Sequence, residues 1–143
     1  MEELKEKSLH PPTAAGAVTA AGKTQFSDLD PEVQLAIRCV SDKKAKDIVV
    51  LDLRQIASFA EFFVIATGAN QRQVQAVSDE IQEQLKKQLS VRPIRIEGYR
   101  TGEWLLMDYG DFIVHIFNKE AREFYDLERL WRDAGKIALP EDL

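Results

Sequence analysis

The stretch EWLLMDYGDFIVHIFNKEAREFYDLERLW, residues Glu103 to Trp131, holds the densest run of apolar, aromatic and turn-forming residues in the chain. Two apolar runs, 103–108 and 112–117, flank residues 109–111, whose Tyr-Gly-Asp sequence suits a tight reversal. The apolar residues beyond Asn118 return at helical spacing. The stretch therefore predicts a β-hairpin that leads into a helix.

Successive side chains of a strand point to opposite faces, so the hairpin has two faces of different composition. Phe112, Val114 and Ile116 share the face that we expect the helices to cover. The residues expected on the other face, open to a protein partner, are Trp104, Leu106, Asp108 and His115, with Tyr109 in the turn. Large amphipathic aromatic residues are typical interface anchors, although Trp104 and Tyr109 are equally compatible with a plain core.

The composition indicates a single globular domain of 143 residues, with 45% hydrophobic and 30% charged residues. The one cysteine, Cys39, cannot form an internal disulfide and sits at an apolar helical position, which favours a reducing, cytoplasmic compartment. We expect no association with membranes. The net charge of −5 opposes direct nucleic-acid binding and favours a basic protein partner.

Helix-start signals, apolar periodicity and turn residues predict the other elements. In chain order these are a disordered tail (1–25), a helix from Asp30 to about Lys44, strands at 48–53 and 62–67, a helix capped by Asn70 that reaches Leu89, and a short strand at 94–97. After the hairpin, Asn118 caps a last helix with core-spaced Phe124, Leu127, Leu130 and Ala134, ended by Gly135, and residues 137–143 form a C-terminal tail. The domain itself is predicted to span 26–136. The fold class is α/β, with a mixed sheet of about five strands that includes one right-handed parallel crossover.

The sequence contains no zinc-ligand spacing, phosphate-binding glycine loop or nucleophile motif of the common enzyme classes. The groups that could carry chemistry are His115, Asp52, Asp108, Asp111 and the turn from Gly68 to Asn70. Each has a structural alternative, since turn aspartates bond the local backbone and a strand-to-helix turn can bind phosphate or simply cap the helix. We expect no catalytic residues, no cofactor and no metal.

From about Leu35 to Trp131 the chain resembles the ribosomal silencing factor (Iojap) family. The motifs that carry the resemblance are SFAEFFVIATG (58–68) with Asn70, Arg72 and Val74, then Glu97 and Gly98, Trp104, DYGDFIVHIF (108–117), Arg122, Tyr125 and LERLW (127–131). Glu61 and Phe62 stand where the family more often has Asp and Tyr.

The resemblance implies an α/β domain related in fold to nucleotidyltransferases but without their catalytic acids. It implies binding to the large ribosomal subunit at its universal protein number fourteen, steric exclusion of the small subunit, and repression of translation under nutrient limitation or in stationary phase. A homodimer is also implied as possible. The alternative is a nucleotide-binding or nucleotidyltransferase-like enzyme, which would want a Gly-Ser pair and an Asp-x-Asp magnesium site. Here Ala69 follows Gly68, and Asp108 and Asp111 are three residues apart.

Overall fold

The computed structural model describes residues 3–11 and 24–143. Residues 3–9 were expected to lie in a disordered tail, and this is wrong: Glu3–Leu9 form helix α1. Two i,i+4 side-chain pairs, Glu3 with Lys7 and Glu6 with His10, run along its exposed side. On its inner side Leu4 is buried against the domain, a long-range contact that local composition does not reveal. The rest of the predicted tail, residues 1–2 and 12–23, lies outside the described residues.

Six strands form one mixed sheet in the order β3-β4-β5-β2-β1-β6. They are β1 (Lys46–Asp52), β2 (Phe62–Thr67), β3 (Arg95–Glu97), β4 (Trp104–Asp108), β5 (Phe112–Phe117) and β6 (Gly135–Lys136). Strands β2 and β5 are parallel, and the other neighbours pair antiparallel. The predicted hairpin and mixed sheet are thus confirmed, and β3 runs in the direction of β2 with β4 and β5 between them.

Helices α2 (Pro31–Asp42) and α3 (Gln71–Leu89) cover one face of the sheet. This is the face expected for them, because their apolar residues pack with Phe112, Val114 and Ile116. The predicted cap of α3 is confirmed, since the Asn70 side chain accepts a hydrogen bond from the Gln73 amide at 2.8 Å. Cys39 is buried as expected, and burial raises the pKa of its thiol to about 12, with smaller contributions from Glu80 and Asp42.

The opposite face of the sheet was expected to be open, and this is wrong. It is covered by α1, the segment 53–60, and two short helices, α4 (Lys119–Tyr125) and α5 (Leu127–Leu130). The residues buried between these layers are Leu4, Leu51, Leu53, Ala60, Phe63, Ile65, Trp104, Leu106, Ile113, Phe117, Leu127 and Trp131. Strand alternation correctly predicts which residues share a face. Both faces are apolar, however, so other segments of the chain pack on both of them.

The C-terminal region departs from the predicted single helix. Asp126 adopts a left-handed conformation (φ +50°) that divides it into α4 and α5. Phe124, expected in the core, is 80% exposed. Gly135 starts β6 rather than capping a helix, and Ile137 is buried, so the expected C-terminal tail begins with residues packed on the domain.

Among residues 3–11 and 24–143, no helix combines the length and the apolar character needed to cross a bilayer.

Candidate partner-binding site

The residues predicted to meet a partner lie in or near a cluster of rings on the second face of the sheet. We call this cluster the aromatic face; its members are Phe59, Phe63, Trp104, His115, Phe117, Tyr125 and Trp131. Neighbouring ring centroids are 4.5 to 6.2 Å apart, within the range of favourable aromatic contacts. Four of the seven rings lie on strands β2, β4 and β5, Phe59 lies in the segment 53–60, and the other two lie on α4 and at the end of α5.

Trp104 and His115 form a buried polar pair inside the aromatic face. The Trp104 indole N–H donates to His115 Nδ1 at 3.0 Å, which places the imidazole proton on Nε2. Nε2 is buried without a hydrogen-bond partner. Burial, with a smaller effect of Lys5, lowers the pKa of His115 to about 3. His115 is therefore neutral at physiological pH, which fits the structural alternative rather than proton transfer.

The other three predicted site residues occupy different environments. Leu106 is fully buried beside Trp104 in the same core. Asp108 accepts a hydrogen bond from the Gly110 amide at 2.8 Å and faces Arg95 at 3.6 Å, so it supports the hairpin turn as turn aspartates usually do. Tyr109 stacks on Phe112 and packs with the core under α2 and α3, on the other face.

Helix α4 projects a surface that sequence reasoning missed. Asn118 caps the helix by accepting from the Ala121 amide at 2.7 Å, as predicted. Arg122 anchors it, because its guanidinium donates to Thr67 Oγ1 at 2.9 Å and to both carboxylate oxygens of Glu128. Phe124 then points away from the core and lies edge-on to Tyr125, with ring centroids 5.0 Å apart.

Beside this helix lies an open cleft of about 710 Å³ at the ends of the parallel strands β2 and β5. Its charged lining residues are Lys46, Asp47, Lys119, Glu120, Arg122, Glu123, Asp126 and Glu128. Five of these are acidic and three are basic, and Arg122 is already paired with Glu128. Asp126 is likewise paired with Arg129 at 3.1 Å, so the lining keeps a small acidic excess, which suits a cationic side chain better than a phosphate.

The turn from Gly68 to Asn70 is explained by packing and capping. A Cβ on Gly68 would lie 2.6 Å from Val74 Cγ2, so the glycine permits close approach of strand and helix. The Ala69 amide donates to Gln73 Oε1, and the Gln73 amide donates to Asn70 Oδ1. Two N–H donors that a phosphate would need are therefore already in use.

Elsewhere among the described residues, the exposed carboxylates of Asp30, Glu61 and Asp111 lie within 4.8 Å of one another, an arrangement that is common without a metal.

This geometry defines a small α/β protein with an aromatic core under short helices and one protruding aromatic residue beside an acidic cleft. The family described as "Ribosomal silencing factor during starvation" matches residues 27–143. The chain belongs to the ribosomal silencing factor family.

Individual relatives agree with that assignment. A ribosomal silencing factor of Halalkalibacterium halodurans is 41% identical over 107 residues, which cover 75% of this chain and 91% of the relative. The corresponding protein of Bacillus subtilis is 38% identical over 102 residues, covering 71% and 86%. A crystal structure of a Chromobacterium violaceum protein superposes with a TM-score of 0.69 at 34% identity, covering 82% of this chain and 92% of that one.

The exposure of Phe124 and the docking of α1 could not be predicted from the sequence, for physical reasons. Phe124 shares the helical spacing of Leu127 and Leu130, but the backbone break at Asp126 separates α4 from α5, and Phe124 is exposed whereas Leu127 is buried. Helix α1 has few apolar residues, and its contacts with Trp104 and Trp131 use backbone oxygens, which no side-chain pattern encodes. The Asn118 cap, by contrast, is visible in the sequence and marks the start of α4.

Proposed function

We propose that this chain represses translation by binding the large ribosomal subunit at its universal protein number fourteen and standing in the way of the small subunit. Membership of the ribosomal silencing factor family is the observation that carries the proposal. The trigger proposed for this activity is nutrient limitation or entry into stationary phase. No covalent chemistry is required, because occupying the joining surface is sufficient to block it.

Charge and shape support a basic protein partner. The chain has a net charge of −5, which steers it toward basic ribosomal proteins and away from bare RNA. Phe124 is a protruding apolar anchor next to the acidic cleft. An aromatic group surrounded by charged residues fits the hot-spot arrangement of protein interfaces. We propose that Phe124 enters an apolar pocket of the partner while a lysine or arginine enters the cleft.

The five residues predicted from the sequence remain part of this proposal, but their predicted exposure to the partner is corrected. Trp104, Leu106, Asp108 and His115 are buried in the structure, so they support the surface from beneath as long as the aromatic face stays covered. Direct contact of Trp104 with the partner requires that its cover move. Tyr109 packs on the opposite face, so it could contact a partner only if that partner bound at the hairpin turn.

Replacing Phe124 tests the proposed surface. Phe124→Ala removes an exposed anchor, so we expect weaker binding to purified large subunits, on the order of thirtyfold for a loss of about 2 kcal/mol. The free energy of unfolding should change by no more than about 0.5 kcal/mol, because the side chain is not in the core. Co-sedimentation over a range of protein concentrations measures the affinity, and thermal unfolding measures the stability.

Ile94 provides the matched control. It is the other large exposed hydrophobic residue of the described chain, at 64% exposure, and it lies by the hairpin turn at the opposite end of β5 from α4. Ile94→Ala should leave binding unchanged. Equal affinities of the Phe124→Ala and wild-type proteins would place the contact surface elsewhere.

A further inference from the structure

We propose that helix α1 is a detachable cover of the aromatic face, and that it must leave before this face can meet the large subunit. The inference rests on the proposed function for the identity of the partner. The docking of α1, in contrast, stands on the contacts of the described residues alone.

The contacts of α1 fall on the two tryptophans of the chain. Lys5 Nζ donates to the Trp104 carbonyl at 2.9 Å and lies 4.9 Å from the centre of the Trp104 ring. The Trp131 indole N–H donates to the Ser8 carbonyl at 2.6 Å. Leu4 packs into the core cluster that contains both tryptophans. The helix therefore lies over the part of the aromatic face that holds the two tryptophans, beside the cover formed by 53–60, α4 and α5.

The attachment of α1 is small enough to be reversible. The helix has seven residues, of which only Leu4 and Ser8 are buried. A helix of this length is unstable in water without tertiary contacts, so it forms only while it is docked.

The surface beneath α1 has the character of an interface. Without the helix, the rings around Trp104 would contribute to a contiguous apolar patch of the kind that marks interaction sites. Tyr125, next to the exposed Phe124, also contacts Trp104, with ring centroids 4.6 Å apart, so the covered face continues into the proposed partner surface. The family match covers this face but begins at residue 27, after α1. Helix α1 therefore lies outside the matched residues.

The test uses the full chain with Leu4→Gln, which removes the buried anchor of α1. Glu6→Gln is the matched control, because it introduces the same residue on the exposed side of the same helix. Acrylamide quenching of fluorescence reports α1 directly, since both tryptophans lie under it. We expect higher quenching and roughly threefold to tenfold tighter binding to large subunits for Leu4→Gln, because the competent state becomes more populated. Glu6→Gln should match the wild type in both measurements.

A deletion of residues 1–11 gives a second route to the uncovered state, and thermal unfolding verifies that the domain remains folded. Unchanged quenching in both altered proteins would overturn the docking of α1. Increased quenching with unchanged or weaker binding would overturn its role as a cover. Increased quenching with no binding by any of the proteins, the wild type included, would contradict the proposed function and the partner named here, while leaving the docking of α1 established.

Discussion

His115 shows how a single residue can combine a structural role with a measurable pH signature. Its imidazole accepts from Trp104 and lies edge-on to Phe63, with ring centroids 4.5 Å apart. No acceptor reaches its Nε2. The residue therefore holds two strands and two rings together in its neutral form, and a proton on Nδ1 would break the hydrogen bond from Trp104.

The lowered pKa of His115 makes the stability of the fold dependent on pH. The unfolded chain binds a proton at His115 near pH 6.5, whereas the folded chain does so only near pH 3. The free energy of unfolding should therefore fall as the pH drops below about 6.5, by at most about 1.4 kcal/mol per pH unit from this group. Between about pH 6.5 and 5 most carboxylates stay ionised, so urea unfolding in this window isolates the effect.

The variant His115→Gln should lose this part of the pH dependence, even though it lowers stability overall. His10→Gln is the control, because His10 is the other histidine of the chain and is exposed just after the end of α1. The same slope of unfolding free energy against pH in wild type and His115→Gln would show that His115 is not the buried neutral group described here.

Individual elements differ in how far local sequence determines them. Strand β2 has the predicted bounds, because a short β-branched and aromatic run ended by Gly68 has few alternatives. The bounds of the last helix differ from the prediction, because the helix is divided by one left-handed residue, Asp126, which the helical pattern of the sequence does not reveal. Helix α4 contains no buried residue, so it depends on its cap and on Arg122 more than on a core-facing stripe.

Removing the two helix caps should separate stability from binding. Asn118→Ala and Asn70→Ala each delete one side-chain cap, and each should cost about 1 kcal/mol of stability. Only Asn118→Ala should also weaken binding to large subunits, because α4 presents Phe124 while α3 covers the other face. Thermal unfolding and co-sedimentation measure the two effects. Equal loss of binding in both variants would indicate a general effect of stability rather than the position of α4.

At the scale of the whole molecule, the sequence predicts the α/β class, the hairpin and the division of residues between two faces. The same alternation places Trp104 and His115 together, and the structure confirms it. Strand alternation does not predict that α1 covers this face. Helix α1 lies more than 90 residues from Trp104 in the sequence, and both of its hydrogen bonds to the tryptophans have backbone oxygens as acceptors. The sequence therefore predicts which residues share this face, but it does not predict that the face is buried and closed to a partner.

A subunit-joining assay tests the central claim most directly. Purified large and small subunits are mixed with the protein, and joined ribosomes are separated on a sucrose gradient. The wild type should reduce the joined fraction in proportion to the large subunits that it occupies, and Phe124→Ala at the same concentration should reduce it far less. An unchanged joined fraction, while the wild-type protein co-sediments with the large subunit, would contradict repression by steric exclusion.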